Sequence, residues 1–162
     1  MISKEIEEIL LDTKACGELM IDSADVANVH YNNNLNHAFL VLSKVKYSVI
    51  PVLDSKSRIK GLISMPMIIN AITEIDAIRY DKLENITVET VMDPNVPTIR
   101  PWTDLEDILN KLIDHNFLCV TEENGTFVGI ITRKEILTRV NHLVHSIHQL
   151  YKLEKKESLE VK

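Results

Sequence analysis

Thr132, Arg133 and Lys134 place a hydroxyl and two cations side by side at the start of an apolar-periodic stretch. Such a stretch predicts a helix, and the first turn of a helix has free backbone N–H groups and the positive end of the dipole. The trio therefore suits an anion such as a phosphate; the same two bases equally suit an ordinary solvated helix face. His142, His145 and His148 invite a metal. Three-residue steps turn each ring about 60° from the last, so the outer two point about 120° apart and cannot share one ion. A solvated face fits them, and His30, His37 and His115 are scattered. Cys16 and Cys119 stand in no CxxC or Cys/His spacing, which indicates neither a disulfide framework nor structural zinc and fits a reducing compartment. Gly17, Gly61, Gly125 and Gly129 form neither GxxxxGK nor GxGxxG, and no Ser/His/Asp or Cys/His set has local motif support. No catalytic or metal residue is assigned, and no enzyme activity is expected.

The elements that must position the Thr132 trio come in an internal repeat. Leu19-Met20 matches Val91-Met92, the run from Tyr47 to Leu53 matches Phe117 to Thr121, and Gly61-Leu-Ile-Ser64 matches Gly129-Ile-Ile-Thr132. Each copy spans about 60 to 70 residues, longer than a solenoid unit, which predicts a duplicated pair. Each leads with an amphipathic helix, through Leu35, Ala38, Phe39, Leu42 and Val45 in the first and Leu105, Ile108, Leu109, Leu112 and Ile113 in the second. The second helix stands behind Thr103-Asp-Leu-Glu106, a capping-box spelling. A hairpin is expected next in each copy, turning at Asp54-Ser-Lys-Ser57 and at Glu122-Glu-Asn124-Gly125, where both Asn and Gly tolerate positive φ. Helical period then returns through Ile68, Ile69, Ile72 and Ile75, and for longer through Ile136, Val140, Leu143, Val144, Ile147 and Leu150.

The expected fold class is α+β: two tandem motifs, each a short sheet with helices on one face, packed through their sheets as one pseudo-twofold module with two pseudo-equivalent clefts. An N-terminal helical segment is expected over 1–13, the copies over 14–80 and 81–151, and a charged tail with isolated Leu153, Leu159 and Val161 over 152–162. With 162 residues, 45% of them hydrophobic, one compact domain can bury a core. The 24 acids against 18 bases leave no cationic excess for nucleic acid. No apolar run approaches the roughly 18 residues of a membrane span, and the charged start is no export signal, so a cytoplasmic location is expected.

The chain resembles the CBS-motif family, whose tandem pairs form a Bateman module. The likeness rests on Tyr47 through Asp54, on Gly61-Leu-Ile-Ser64 and its twin Gly129-Ile-Ile-Thr132, and on Met20 and Met92, and covers residues 14–150. Asp25-Val-Ala-Asn-Val29, Asn33 through Ala38, Ile86 through Met92 and Gly129 through Lys134 further resemble stand-alone CBS pairs of Gram-positive bacteria that bind cyclic di-AMP, often called CbpB or DarB. That resemblance implies cyclic di-AMP in a cleft between the motifs, a ligand-free form acting on a Rel-type alarmone synthetase of the stringent response, and a homodimer.

In adenosine-binding CBS motifs an acid three residues after the Ser/Thr reads the ribose hydroxyls. Here Met67 follows Ser64, while Glu135 follows Thr132. A 3′,5′-cyclic dinucleotide holds its 3′ oxygen in a phosphodiester, so the missing acid fits that ligand, and it fits an empty cleft as well. By resemblance Val26 and Ala27 offer backbone groups to the adenine edge, or are plain strand core. Tyr47 stacks on the base, or packs over the helix with its hydroxyl in water; Ser48 bonds a base edge or phosphate; Pro51 belongs to the same set. Thr132, Arg133 and Lys134 hold the phosphate, and Ser64 and Glu135 are second nucleotide or ribose contacts. Relatives can carry lysine in place of Asp25 and arginine in place of Lys134, and lysine supplies a point charge where arginine supplies a fork.

Beside the cyclic di-AMP sensor stand three other readings. Glu135 supports an energy sensor for AMP, ADP or ATP, a ligand-free pair would serve as a scaffolding or dimerisation subunit, and an enzyme would need a reactive set that no motif marks. No cofactor is expected.

Overall fold

The computed structural model describes residues 2–150 and 152. The chain divides into a sheet unit, Met20–Arg133, and a helical unit made of Met1–Leu19 with Lys134–Lys162. Of the expected charged tail, Leu153, Leu159 and Val161 lie outside the described residues, as does the Leu150 side chain.

In the sheet unit the first copy runs β1 (Ile21–Asp22), a 3-10 turn at Ser23–Asp25, β2 (Val29–His30), α3 (Leu35–Lys44), β3 (Val49–Leu53), β4 (Ile59–Ser64) and α4 (Met65–Ile72). The second runs β5 (Thr98–Ile99), α5 (Leu105–Asp114), β6 (Phe117–Thr121), β7 (Phe127–Thr132) and the start of α6 (Arg133–Leu150). The helical unit holds α1 (Lys4–Leu10), α2 (Thr13–Cys16) and the body of α6.

Strand alternation separates two faces. Ile50, Val52 and Ile63 pack with Val29 under Leu35, Ala38 and Leu42 of α3 and Ile68 and Ile72 of α4, which forms the core of the first copy. Leu53 and Leu62 point the other way and meet Val26, Cys119, Phe127 and Ile130, so the two sheets pack on each other through this second cluster. Pro51 is tolerated in the central strand because β2 pairs only with Val52 and Leu53.

The copies also exchange strands. β1 pairs with β7 of the second copy, Ile21 opposite Ile130 and Asp22 opposite Gly129. Reciprocally, Asp93 and Leu62 trade both backbone hydrogen bonds at 2.9 Å. The glycines make this possible. A Cβ on Gly129 would collide with the Ile21 carbonyl and Met20 Cγ, and one on Gly61 would lie 2.7 Å from Met92 Sδ and 2.9 Å from the Asp93 carbonyl. The hairpin tips join as well, Ile59 N–H donating to Gly125 O at 3.1 Å and Phe127 N–H to Ser57 O at 2.9 Å.

Several expectations shift in detail. The cap of α5 is Asp104, whose carboxylate accepts from the Asp107 amide at 2.9 Å, while the Thr103 hydroxyl accepts from the Arg100 amide. At the second hairpin only Gly125 takes a positive φ; Ser57 holds the corresponding place in the first. Helix α4 ends at Ile72, leaving Ile75 fully exposed, and Ile113 also faces solvent. On α6, Ile136 is buried while Val140 and Val144 are exposed.

Candidate functional site

The antiparallel pairing of Val49 with Ser64 brings Tyr47 and Ser48, just ahead of β3, to the same end of the three-stranded sheet as the first turn of α4. Just ahead of β2, Val26 is buried in the cluster that Val49 packs against, and Ala27 packs on the core that holds Ile50. Val26, Ala27, Tyr47, Ser48 and Ser64 therefore converge at one sheet end. In the second copy Phe117 pairs with Thr132, so Asn116, Thr132 and Arg133 hold the equivalent end. Val26 is buried in the cluster between the sheets, and Val49, Val96 and Phe117 pack around that cluster, so both ends flank it.

The local chemistry of each residue is set by its bonds. Val26 N–H donates to Ser23 O at 3.3 Å, and its carbonyl accepts from Asn28 Nδ2 at 3.0 Å, while Ala27 is half-buried against the first core. Neither residue lies within a strand. Tyr47 is 43% exposed, Ser48 is exposed and Pro51 is buried. Ser64 is buried, and its Oγ accepts from the Met67 amide at 3.4 Å as the N-cap of α4. Met65, Pro66 and Met67 then present no charge where the second copy carries Arg133, Lys134 and Glu135.

Arg133 has a second occupation. Its Nε donates to Leu112 O at 2.9 Å and an Nη to Ile113 O at 3.1 Å, so it caps the C-terminal end of α5, and its own amide donates to Asn116 O. Thr132 is half-buried. Lys134, exposed, and Glu135, half-buried, open the helical unit.

Strongly shifted groups lie elsewhere. The Arg58 amide, with the Arg58 guanidinium and the Lys56 amide, holds the Asp54 carboxyl at about 2 against an opposing desolvation, at the tip of the first hairpin. Burial pushes the Cys119 thiol up to about 12. Among the described residues no group of three or more His, Cys, Asp or Glu is placed to hold a metal, and no helix is long and apolar enough to cross a membrane.

Sequence reasoning missed Asn116 and Val96, the second-copy counterparts of Ser48 and Val26. Aligning Val49–Leu53 with Phe117–Thr121 finds Asn116, and matching the pairing of Val29 with Val52 to that of Ile99 with Val120 finds Val96.

Residues 16–74 and 88–142 each match the CBS domain family. The chain is 38% identical over 146 residues to Cyclic di-AMP receptor B of Bacillus subtilis, spanning 90% of this chain and 98% of that protein. Its fold is similar to the CbpB protein of Listeria monocytogenes in complex with c-di-AMP, with a TM-score of 0.74 and 44% identity over 78% of this chain and 94% of that one. It is also similar to CbpB of Streptococcus agalactiae, with a TM-score of 0.81 and 28% identity over 96% of each chain. Two family matches, in two copies that exchange strands across a shared cluster, mean that this chain belongs to the CBS-domain family as a tandem CBS pair.

Proposed function

We propose that this chain is a cytoplasmic nucleotide-sensing regulatory protein that binds cyclic di-AMP in the cleft between its CBS motifs and modulates a partner such as a Rel-type alarmone synthetase. The carrying observation is the near-full-length likeness to a cyclic di-AMP receptor, together with the likeness to a chain crystallised with c-di-AMP. The local chemistry agrees. Met67 replaces the ribose-reading acid and Ser64 is spent on a helix cap, whereas Thr132, Arg133 and Lys134 supply a hydroxyl and two cations for phosphate at the start of α6. Tyr47 stacks on a base, Ser48 bonds its edge or a phosphate, and Val26, Ala27 and Pro51 line the same end. Glu135 favours a second reading, a sensor of AMP, ADP or ATP. A homodimer is supported by Leu137, Val140 and Val144, an exposed apolar stripe on α6 distinct from the buried positions Ile136 and Arg139.

Calorimetric titration of nucleotide-stripped protein tests this. Saturable binding of cyclic di-AMP in preference to AMP, ADP and ATP, weakened by Lys134→Ala, is expected; preference for a mononucleotide would move the assignment to the energy sensor, and silence from all four to a scaffold. Lys134 is the better probe because Arg133→Ala also removes the α5 cap. The partner is tested by co-purification with a Rel-type synthetase with and without ligand.

A further inference from the structure

Among the described residues Arg139 has the largest fully buried side chain, at 1% exposure. One Nη donates to Leu10 O at 2.9 Å, the other to Gly17 O at 2.6 Å, and its Nε has no hydrogen-bond partner. Among the described residues no carboxylate neutralises it.

Those two carbonyls end α1 and α2. α1 has seven residues and no base in its last turn; α2 has four, carries Lys14 there and closes on Gly17. Helices this short do not persist alone, so tertiary contact must hold them. The buried aliphatics available among the described residues of this unit are Ile9, Leu10 and Ile136. One guanidinium thus bonds the C-terminal carbonyls of both helices and is the cation at the end of α1, and an unneutralised, incompletely bonded buried cation is a weak fastening.

We infer that residues Ser3–Gly17 form a strap that opens as one piece, fastened to α6 by Arg139, and that this opening is what a ligand at the start of α6 biases. The trigger, though not the strap, rests on the nucleotide reading. Arg139 lies six residues beyond Arg133 on one continuous helix. A phosphate engaging the N–H groups that Arg133 does not spend on the Leu112 and Ile113 carbonyls would share one guanidinium with the α5 cap and so pull on the start of that helix.

Native-state hydrogen exchange on the full chain tests both parts. The reporters are the amides of Leu11, Cys16 and Gly17, bonded to Glu7, Asp12 and Thr13 carbonyls, against amides of β3 and β6. In wild type the strap amides should exchange through an opening far less urea-dependent than that of the strands; equal dependence overturns the strap. Arg139→Met should speed strap exchange about tenfold or more with the strands unchanged, and Arg139→Lys should restore part of the protection. Equal acceleration everywhere, no acceleration, or a variant that fails to fold overturns the fastening. Saturating cyclic di-AMP should alter strap exchange in wild type; binding seen by calorimetry with strap exchange unchanged overturns the trigger. Absence of binding overturns the nucleotide reading and the trigger with it, while the urea and Arg139 results still decide the strap.

Discussion

Replacing Gly129 by alanine tests whether the crossed exchange of strands holds the two copies together. The added Cβ would come under 3.0 Å from the Ile21 carbonyl, against an ordinary contact of 3.4–4 Å, so backbone must move. Moving it breaks the ladder at the Asp22–Gly129 pair. Overpacking costs about 1–3 kcal/mol, and two strained backbone bonds add about 1 kcal/mol each, so a loss of about 3 kcal/mol or more is expected. For a chain of this length that corresponds to roughly 6–12 °C in Tm. Gly61→Ala is the internal control. Its nearest obstacle is the Met92 side chain, which can swing, and the Asp93 carbonyl at 2.9 Å needs only a small shift, so the loss should be the smaller of the two, about 1–2 kcal/mol. Met20→Ala should not rescue Gly129→Ala, because the Ile21 carbonyl remains in place. Urea denaturation followed by circular dichroism, with the slope checked for constancy, gives both differences. A Gly129→Ala protein within about 0.5 kcal/mol of wild type, or one more stable than Gly61→Ala, would refute the reasoning.

Asp54 is held ionised down to about pH 2 in the folded chain, below its ordinary 3.8. Its contribution to stability is therefore full above about pH 4 and lost as the pH falls toward 2; Asp54→Asn should flatten that part of the acid-unfolding profile, and an unchanged profile would contradict the assignment. Cys119, buried with its thiol pushed up to about 12, should resist a thiol reagent at pH 8 until urea is added, while the half-buried Cys16 reacts first. Paired Leu137→Glu and Val144→Glu substitutions should leave the Tm nearly unchanged and shift sedimentation to the monomer; a persisting dimer would place the interface elsewhere.

Much of the fold was legible because burial follows local period. The α3 stripe of Leu35, Ala38 and Leu42 and the two hairpins are such features. Ile75 misled because its spacing continues that of Ile68 and Ile72, yet Thr73 and Ile78 bridge across a turn instead and nothing covers the side chain. Thr103 and Asp104 are both competent caps, and only the geometry of the preceding turn gives the role to Asp104. At the candidate site, sequence could name Arg133 as a cation near a helix start. Its bonds to Leu112 and Ile113 come from residues some twenty positions earlier, which no local pattern encodes. Ser64 likewise reads as a ligand contact until its hydroxyl is seen on the Met67 amide. Arg139 belongs to no local pattern, and its two bonds are to carbonyls more than a hundred residues away.

The crossed seating of Met20 on Gly129 and Met92 on Gly61 makes each copy the complement of the other. Detached, a single copy would carry a bare glycine seat and an unseated methionine, and two such fragments would satisfy both only about a twofold axis. The chain thus carries two complementary halves on one polypeptide, its stretch from Thr73 to Thr87 doing the work of high concentration. The same complementarity leaves it open to domain swapping, in which the opening segment of one chain takes the glycine seat of another.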